Sequence, residues 1–396
     1  MVGFFYNLTR IERDFQMKLC STLLFSALIF MSLMQPVEGI YHKLTLLISL
    51  VIILLSFLMH KKIIIQNVQA SLFFSLYTFF CVISAGVNQD IGLLKNSLQL
   101  FCIFLAVAIF FNDIVRKHVK EVVLNGVLLA YIPFLIFCFQ ENHFMFGAFS
   151  GIFENPNTLG FSMIGLMVVV LMKLYEIIVA MLEGHRQLKL TILLGVYTII
   201  YLFALYVIML SNARTSLLTI AIVTIVMIVL VVKRMKKRFL PLLKFIFLLI
   251  AACLILVIAI NEVDMMQKAF QSILLKMEKK STNITDGRLE IWKYVFEHFN
   301  FWGHGAESLW AIGVSHAHNT FLNILQEAGL LSLVCYAVFL ISIAKGHSQM
   351  DKQLVVFTVF VVVAALGVST FEILYFNVLH ILVFVVSGFD RNKNST

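Results

Sequence analysis

Apolar and polar positions alternate in long blocks along this chain. Apolar runs near 19–35, 41–59, 70–87, 93–112, 121–139, 158–180, 190–210, 212–232, 240–260, 320–344, 353–371 and 373–389 each approach the length that crosses a hydrocarbon core as a helix. Such runs are too long for barrel strands, and their backbone groups must bond within the segment, so helices are predicted throughout. The pattern therefore predicts an all-α, polytopic integral membrane protein with about twelve transmembrane helices and a single integral domain over 1–396. One polar stretch departs from it. Residues 261–317, between the ninth and tenth spans, form a long loop, and 285–331 carry most of its mixed charged, polar and aromatic residues.

Composition agrees with this reading and narrows it. With 61% hydrophobic residues, 13% charged residues and a mean hydropathy of +0.97, the chain lacks the polar surface of a water-soluble domain. The formal charge of +9 is not a nucleic-acid signature, because the Lys and Arg residues sit in short clusters between apolar runs. Placing those clusters inside puts both termini in the cytoplasm and the 261–317 loop outside, since long loops translocate largely regardless of charge. The six cysteines are scattered without a CxxC spacing, so neither a disulfide framework nor a metal site is predicted from them. Arg10, Arg13 and Lys18 precede the first apolar run, but Gln35-Pro36-Val37-Glu38 lacks a small-x-small cleavage pattern, so a retained first span is expected.

Three polar pieces then fall on the external side: Gly151 to Thr158, the junction Ser211-Asn212-Ala213-Arg214-Thr215-Ser216, and the long loop. Arg214 has no acidic residue nearby in sequence. It reads either as an interfacial arginine reaching lipid phosphates or as a phosphate site, where Asn212 and the flanking hydroxyls add neutral donors. Arg288 follows Asp286, a candidate cap for a helix starting near Leu289. Leu289, Trp292, Phe296 and Phe299 recur on one face, as in an amphipathic helix lying on the membrane surface. Such a helix holds Arg288 near the lipid headgroups, although a solvated loop arginine is the plainer reading.

His316 and His318 point to one side only on an extended segment. Without a third ligand in sequence, general-base chemistry fits them better than a metal, and a histidine satisfied at a loop-helix junction is the structural alternative. His304, beside glycines, reads as structural. Asn319, Asn323 and Gln326 form a polar stripe on an otherwise apolar helix and should face the bundle interior, as a substrate wall or as a hydrogen-bonded seam. Glu154-Asn155-Pro156-Asn157-Thr158 reads as a turn and cap for the next span whose side chains also border the external cavity.

The combination Gly287-Arg288-Leu289-Glu290-Ile291-Trp292, then Gly303-His304-Gly305, then His316 to Leu331 resembles the signature region of the O-antigen ligase and Wzy-type polysaccharide polymerase superfamily. The Arg214 junction and the Asn155-Pro156-Asn157-Thr158-Leu159-Gly160 entry to a span resemble it in the same order. The resemblance implies a GT-C-like, metal-independent inverting glycosyltransferase of the bacterial inner membrane, without cofactor or nucleotide sugar. Its donor is an undecaprenyl-pyrophosphate-linked oligosaccharide, and its partners are an acceptor glycan, membrane lipid and a chain-length regulator. Arg214 and Arg288 match the two arginines that hold the pyrophosphate in that family, and His318 matches its base, with His316 its neighbour; from their own chemistry, His316, Asn319, Asn323 and Asn212 are expected as further substrate contacts. Leu331-Ser332-Leu333 departs from the family where a second glycine is common, which bears on helix packing. A polymerase making O-antigen or capsule is expected first. A ligase moving the finished glycan to lipid A-core is the alternative, and a lipid-linked sugar flippase is the reading from another class.

Overall fold

The structure is a computed structural model that describes residues 10–59, 63–115, 118–141, 143–145, 147–184, 187–235, 287–345, 350–374 and 377–389, together with 267 and 271. The expected ninth span at 240–260, Asp286 and nearly all of 261–286 lie outside the described residues. Among those described, ten helices are long and apolar enough to cross a membrane. They are α1 (Arg10–Met34), α2 (Gly39–Met59), α3 (Val68–Val87), α4 (Ile91–Val115), α5 (Val119–Glu141), α6 (Pro156–Leu182), α7 (Leu188–Leu210), α8 (Arg214–Met235), α10 (Thr320–Ala344) and α11 (Lys352–Phe371). Between α8 and α10 lies the shorter surface helix α9 (Arg288–Glu297), and the last element is α12 (Val378–Ser387). The chain is an all-α polytopic membrane protein, as its hydropathy predicts.

Caps explain where the helices around the site begin. Asn155 caps α6 by accepting from the Asn157 N–H, with Pro156 at the first helical position, where its missing N–H costs nothing. Asn319 caps α10 through the Phe321 and Leu322 N–H groups. Helix α6 is the axis of the bundle: it is buried along most of its length and packs against α5, α7, α8, α11 and α12. A second packing centre joins α3, α4, α10 and α12, where Phe74 meets Phe104, Phe339 and Phe384 at ring-centroid distances of 4.2, 4.9 and 5.0 Å. The first pair is stacked, while the tilted and edge-on pairs with Phe339 and Phe384 bring the positive ring edge to a negative face.

Two local features differ from the sequence reading. The expected span at 373–389 is a helix of only 10 residues, buried at every position. After α11 the backbone runs extended at Glu372, and Asn377 starts a new helix by accepting from the His380 N–H. At about 1.5 Å per residue, α12 is roughly 15 Å long, about half the thickness of a hydrocarbon core. It is tied there to α4, which carries a π-helical stretch at Leu105–Phe111: the Asn112 side chain donates to the Val385 carbonyl at 2.9 Å, and a Cβ at Gly388 would lie 1.9 Å from the Ala108 carbonyl oxygen. The second difference is a hairpin of β1 (His143–Met145) and β2 (Ala148–Gly151) before α6, too short to show a strand period in sequence.

Helix α10 is broken at Gly329, whose φ of 82° and ψ of −179° only glycine adopts readily. The break frees backbone groups that the glycine loop takes up: His304 N–H donates to Gln326 O at 2.8 Å and Gly305 N–H to Glu327 O at 3.0 Å, while Leu330 N–H donates to Phe301 O at 3.1 Å. A Cβ at Gly329 would sit 2.1 Å from Phe301 O, and one at Gly303 would sit 2.4 Å from Glu327 O. From the other side Ala306 N–H donates to the Asp90 carboxylate at 2.6 Å, and Ser84 Oγ donates to Glu327 O at 3.1 Å. Gly329→Ala meets both the backbone penalty of about 1–3 kcal/mol and a backbone clash. A lowered thermal midpoint in detergent is the expected result, and an unchanged midpoint counts against the docked loop.

Candidate functional site

The ends of α1 and α11, the starts of α2, α6, α8, α10 and α12, and the loop before α10 converge at one end of the bundle. Arg214 is the first residue of α8. The chain turns into it through Asn212, held at φ 53°, with Ser211, Asn212 and Ser216 buried around it. That turn lies against Gly160 of α6, where an added Cβ would fall 2.2 Å from the Ala213 Cβ. Gly160 therefore sets how closely the Arg214 junction approaches the central helix.

Arg288 opens α9. Gly287 precedes it at φ 78° as the helix boundary, so the helix begins one residue earlier than the sequence pattern suggests. The half-buried guanidinium donates from Nη1 to the Phe371 carbonyl, the last of α11, at 2.8 Å. Burial lowers its pKa from the usual arginine value; the Glu372 carboxylate opposes that shift and the charge of Arg214 adds to it. Both guanidiniums therefore act within one electrostatic cluster with Glu372.

The loop that carries the histidines is fixed from two sides. Trp292 of α9 donates its indole N–H to the Ala317 carbonyl at 2.8 Å, and the Ala317 N–H donates to Asn323 Oδ1 on α10 at 3.1 Å. His318 lies at φ 48°, a left-handed conformation that non-glycine residues adopt at a cost and that concentrates at functional sites. Its Nδ1 faces both oxygens of Glu372, at 3.3 and 3.4 Å. A carboxylate there places the proton on Nδ1 and leaves Nε2 as the free base.

His316 is held differently. Its Nδ1 accepts from the His318 N–H at 3.3 Å and lies 3.8 Å from Glu372, outside hydrogen-bond range. Burial, then the charge of His318, lowers its pKa, with Glu372 opposing them, so at neutral pH it is an uncharged imidazole with its proton on Nε2. The two rings meet edge to face at 4.2 Å. Burial alone would raise Glu372, but the hydrogen bond and charge of His318, with His316 and Arg288, more than offset it and hold the carboxyl below its ordinary range. Thr320 fixes its backbone, donating to Glu372 O at 3.0 Å and accepting from the Leu374 N–H at 2.9 Å.

Arg214, Arg288, His316 and His318, separated in sequence, thus come together, and Glu372 joins them. No reading of the chain above had singled out Glu372. Its signal was present, because it alone separated two predicted spans, and one residue cannot turn a chain back across a bilayer. Asn319 and Asn323 serve the loop: Asn319 spends Oδ1 on its cap and donates from Nδ2 to Thr370 O at 3.0 Å, while Asn323, 2% exposed, lies under Ala317. Asn212, 6% exposed, lies behind Arg214. The polar stripe on α10 faces protein, as expected, where it supports the loop backbone.

His316, His318 and Glu372 together offer two imidazoles and a carboxylate within 4.8 Å of one another, a donor set able to hold a cation. The carboxylate is the third ligand that sequence spacing did not show. Against a dication, one imidazole nitrogen is occupied by a backbone N–H and two guanidiniums add positive charge nearby. That charge favours an anion at this end of the bundle.

The family model described as O-antigen ligase matches residues 199–337. A search of the curated proteins found no match. The matched stretch runs from within α7 through α8 and α9 into α10, and so contains both arginines and both histidines but not Glu372. The segment that supplies four of the five converging groups is therefore the part of the chain that is similar to the O-antigen ligase family.

Proposed function

We propose that this protein is a polysaccharide polymerase that transfers an undecaprenyl-pyrophosphate-linked glycan onto the next lipid-linked repeat unit at the outer face of the bacterial inner membrane, in O-antigen or capsule synthesis. The observation that carries the reading is the pairing of two guanidiniums with a carboxylate-held imidazole at one end of a membrane bundle. An acceptor hydroxyl gives its proton to His318 Nε2 as its oxygen bonds to the anomeric carbon of the donor. The bond from that carbon to the pyrophosphate oxygen breaks at the same time. The electron pair leaves with the lipid pyrophosphate, whose growing charge Arg214 and Arg288 stabilise. Direct displacement inverts the anomeric carbon. Glu372 orients the imidazole and stabilises its protonated form, and neither metal nor nucleotide takes part.

A ligase moving the finished glycan to lipid A-core needs the same donor chemistry, so the acceptor decides between the two. Purified protein given only lipid-linked repeat units should yield a ladder of longer lipid-linked chains, unchanged by EDTA. Product formed only when a core acceptor is added assigns the ligase instead. In the same assay His318→Ala should abolish the ladder, a loss of about 10²–10⁴-fold. His316→Ala should cost less, because its Nδ1 is already engaged with backbone. Full activity in His318→Ala would remove the base from this reading.

A further inference from the structure

Beside the histidines lies a cavity of about 340 Å³, at the small end of small-molecule pockets. His316, His318 and Glu372 line one part of it, and the rest comes from elements the transfer chemistry does not use: the end of α1, the start of α2, the entry to α6 and the start of α12. Among the described residues Glu372 is the only carboxylate lining it, and no Lys or Arg does. The two arginines of the proposed donor site are thus absent from this lining.

We infer that this cavity is the acceptor subsite and that it takes an uncharged sugar ring, read by the carboxamides of Gln35, Asn155 and Asn377. Gln35 supplies the sharpest signal. It is 4% exposed; its Nε2 donates to Thr45 Oγ1 at 2.8 Å, while its Oε1 has no hydrogen-bond partner among the described residues. A buried acceptor left unmet costs free energy that a ligand hydroxyl would recover. Asn155 and Asn377 present the complementary group. Each spends Oδ1 on a helix cap, Asn155 on the Asn157 N–H at 2.9 Å and Asn377 on the His380 N–H at 3.0 Å. The caps orient both amides, which line the cavity, and no cap uses their Nδ2 donors.

A sugar hydroxyl both donates and accepts, so a lone carbonyl acceptor and two amide donors on three separate elements suit a polyol. Phosphate meets the Glu372 carboxylate, which repels it, and no Lys or Arg among the described lining residues. The subsite sits beside His318, so a hydroxyl of the bound ring lies within the reach of the base; this deepens the transfer reading and rests on it.

The test is ligand-observed NMR on the full chain in detergent with a mixture of methyl glucoside, galactoside, rhamnoside and N-acetylglucosaminide. At least one glycoside should show saturation transfer, and the signal should survive Arg288→Ala. Asn377→Asp keeps the cap oxygen and loses the donor, and Gln35→Met keeps the chain length and loses the acceptor. Each should weaken binding about fivefold or more. The cap-preserving Asp variant guards against a folding defect. The subsite is overturned if no glycoside binds, if both variants bind like the parent chain, or if inorganic pyrophosphate displaces the glycoside. Glycoside binding that depends on Gln35 and Asn377, together with normal transfer by Arg288→Ala, keeps the subsite and rejects the pyrophosphate chemistry.

Discussion

Replacing either Arg288 or Arg214 by alanine should lower the single-turnover rate of glycosyl transfer by about 10²–10³-fold, the cost of removing one preorganised charge donor from a developing anion. The expectation comes from how the two charges are held. Burial destabilises the Arg288 cation, and Arg214 destabilises it further. A dianionic leaving group between them relieves a repulsion present before substrate arrives, and that relief grows as charge moves onto the pyrophosphate. Lysine should not restore Arg288, because a point charge cannot donate to the Phe371 carbonyl and to phosphate oxygens in the same planar arrangement. A rate loss confined to KM would mean that the arginines bind the donor equally in ground and transition states. Unchanged single-turnover rates in both variants would dismiss the pyrophosphate role.

Glu372→Gln should lower kcat by about 10²–10⁴-fold with little change in acceptor KM. The substitution is nearly isosteric, and the contacts that place residue 372 use its backbone carbonyl, so the extended segment stays in position. What is lost is the charge. His318 and His316 hold this carboxyl below its ordinary range, so it is ionised throughout the neutral region. Its negative charge raises the pKa of His316 against the opposing effects of burial and of His318. Removing it takes away the charge that favours protonated His316, so that imidazole should titrate at lower pH by NMR while kcat falls. A His316 titration that stays in place with full kcat would leave Glu372 as a structural residue, whereas partial recovery of kcat in Glu372→Asp supports the pairing.

Most of the frame and four of the five converging groups were legible in the chain. Apolar run length located nine of the ten described spans within a few residues at most ends, because a hydrocarbon core sets helix length directly. The first span begins earlier, at Asp14, where a polar turn extends the helix beyond its apolar run. Arg214, Arg288, His316 and His318 stood out because charge and imidazole are conspicuous against apolar sequence. Glu372 did not, since its meaning depends on α11 ending opposite the histidine loop, a tertiary relation 54 residues away from His318. Gln35 was equally silent. Only its burial against Thr45 distinguishes it from any polar residue in a turn. The short α12 was missed because a buried half-length helix and a membrane span share the same apolar composition, and only the cap at Asn377 separates them.

The break at Gly329 also bears on how the protein is made. Until the Phe301–Gly305 loop arrives, α10 carries the Gln326 and Glu327 carbonyls without the N–H groups that meet them in the finished fold. Unmet carbonyls are costly in a lipid environment. The docked loop is also secured by Ser84, Asn88 and Asp90 near the junction of α3 and α4, made more than 200 residues earlier in the chain. Closure of this joint must therefore wait until α3, α4 and α10 are all inserted. The histidine loop is part of the same connection into α10, so the candidate site is among the last regions to mature during biogenesis, and a chain stalled before α10 has no assembled site.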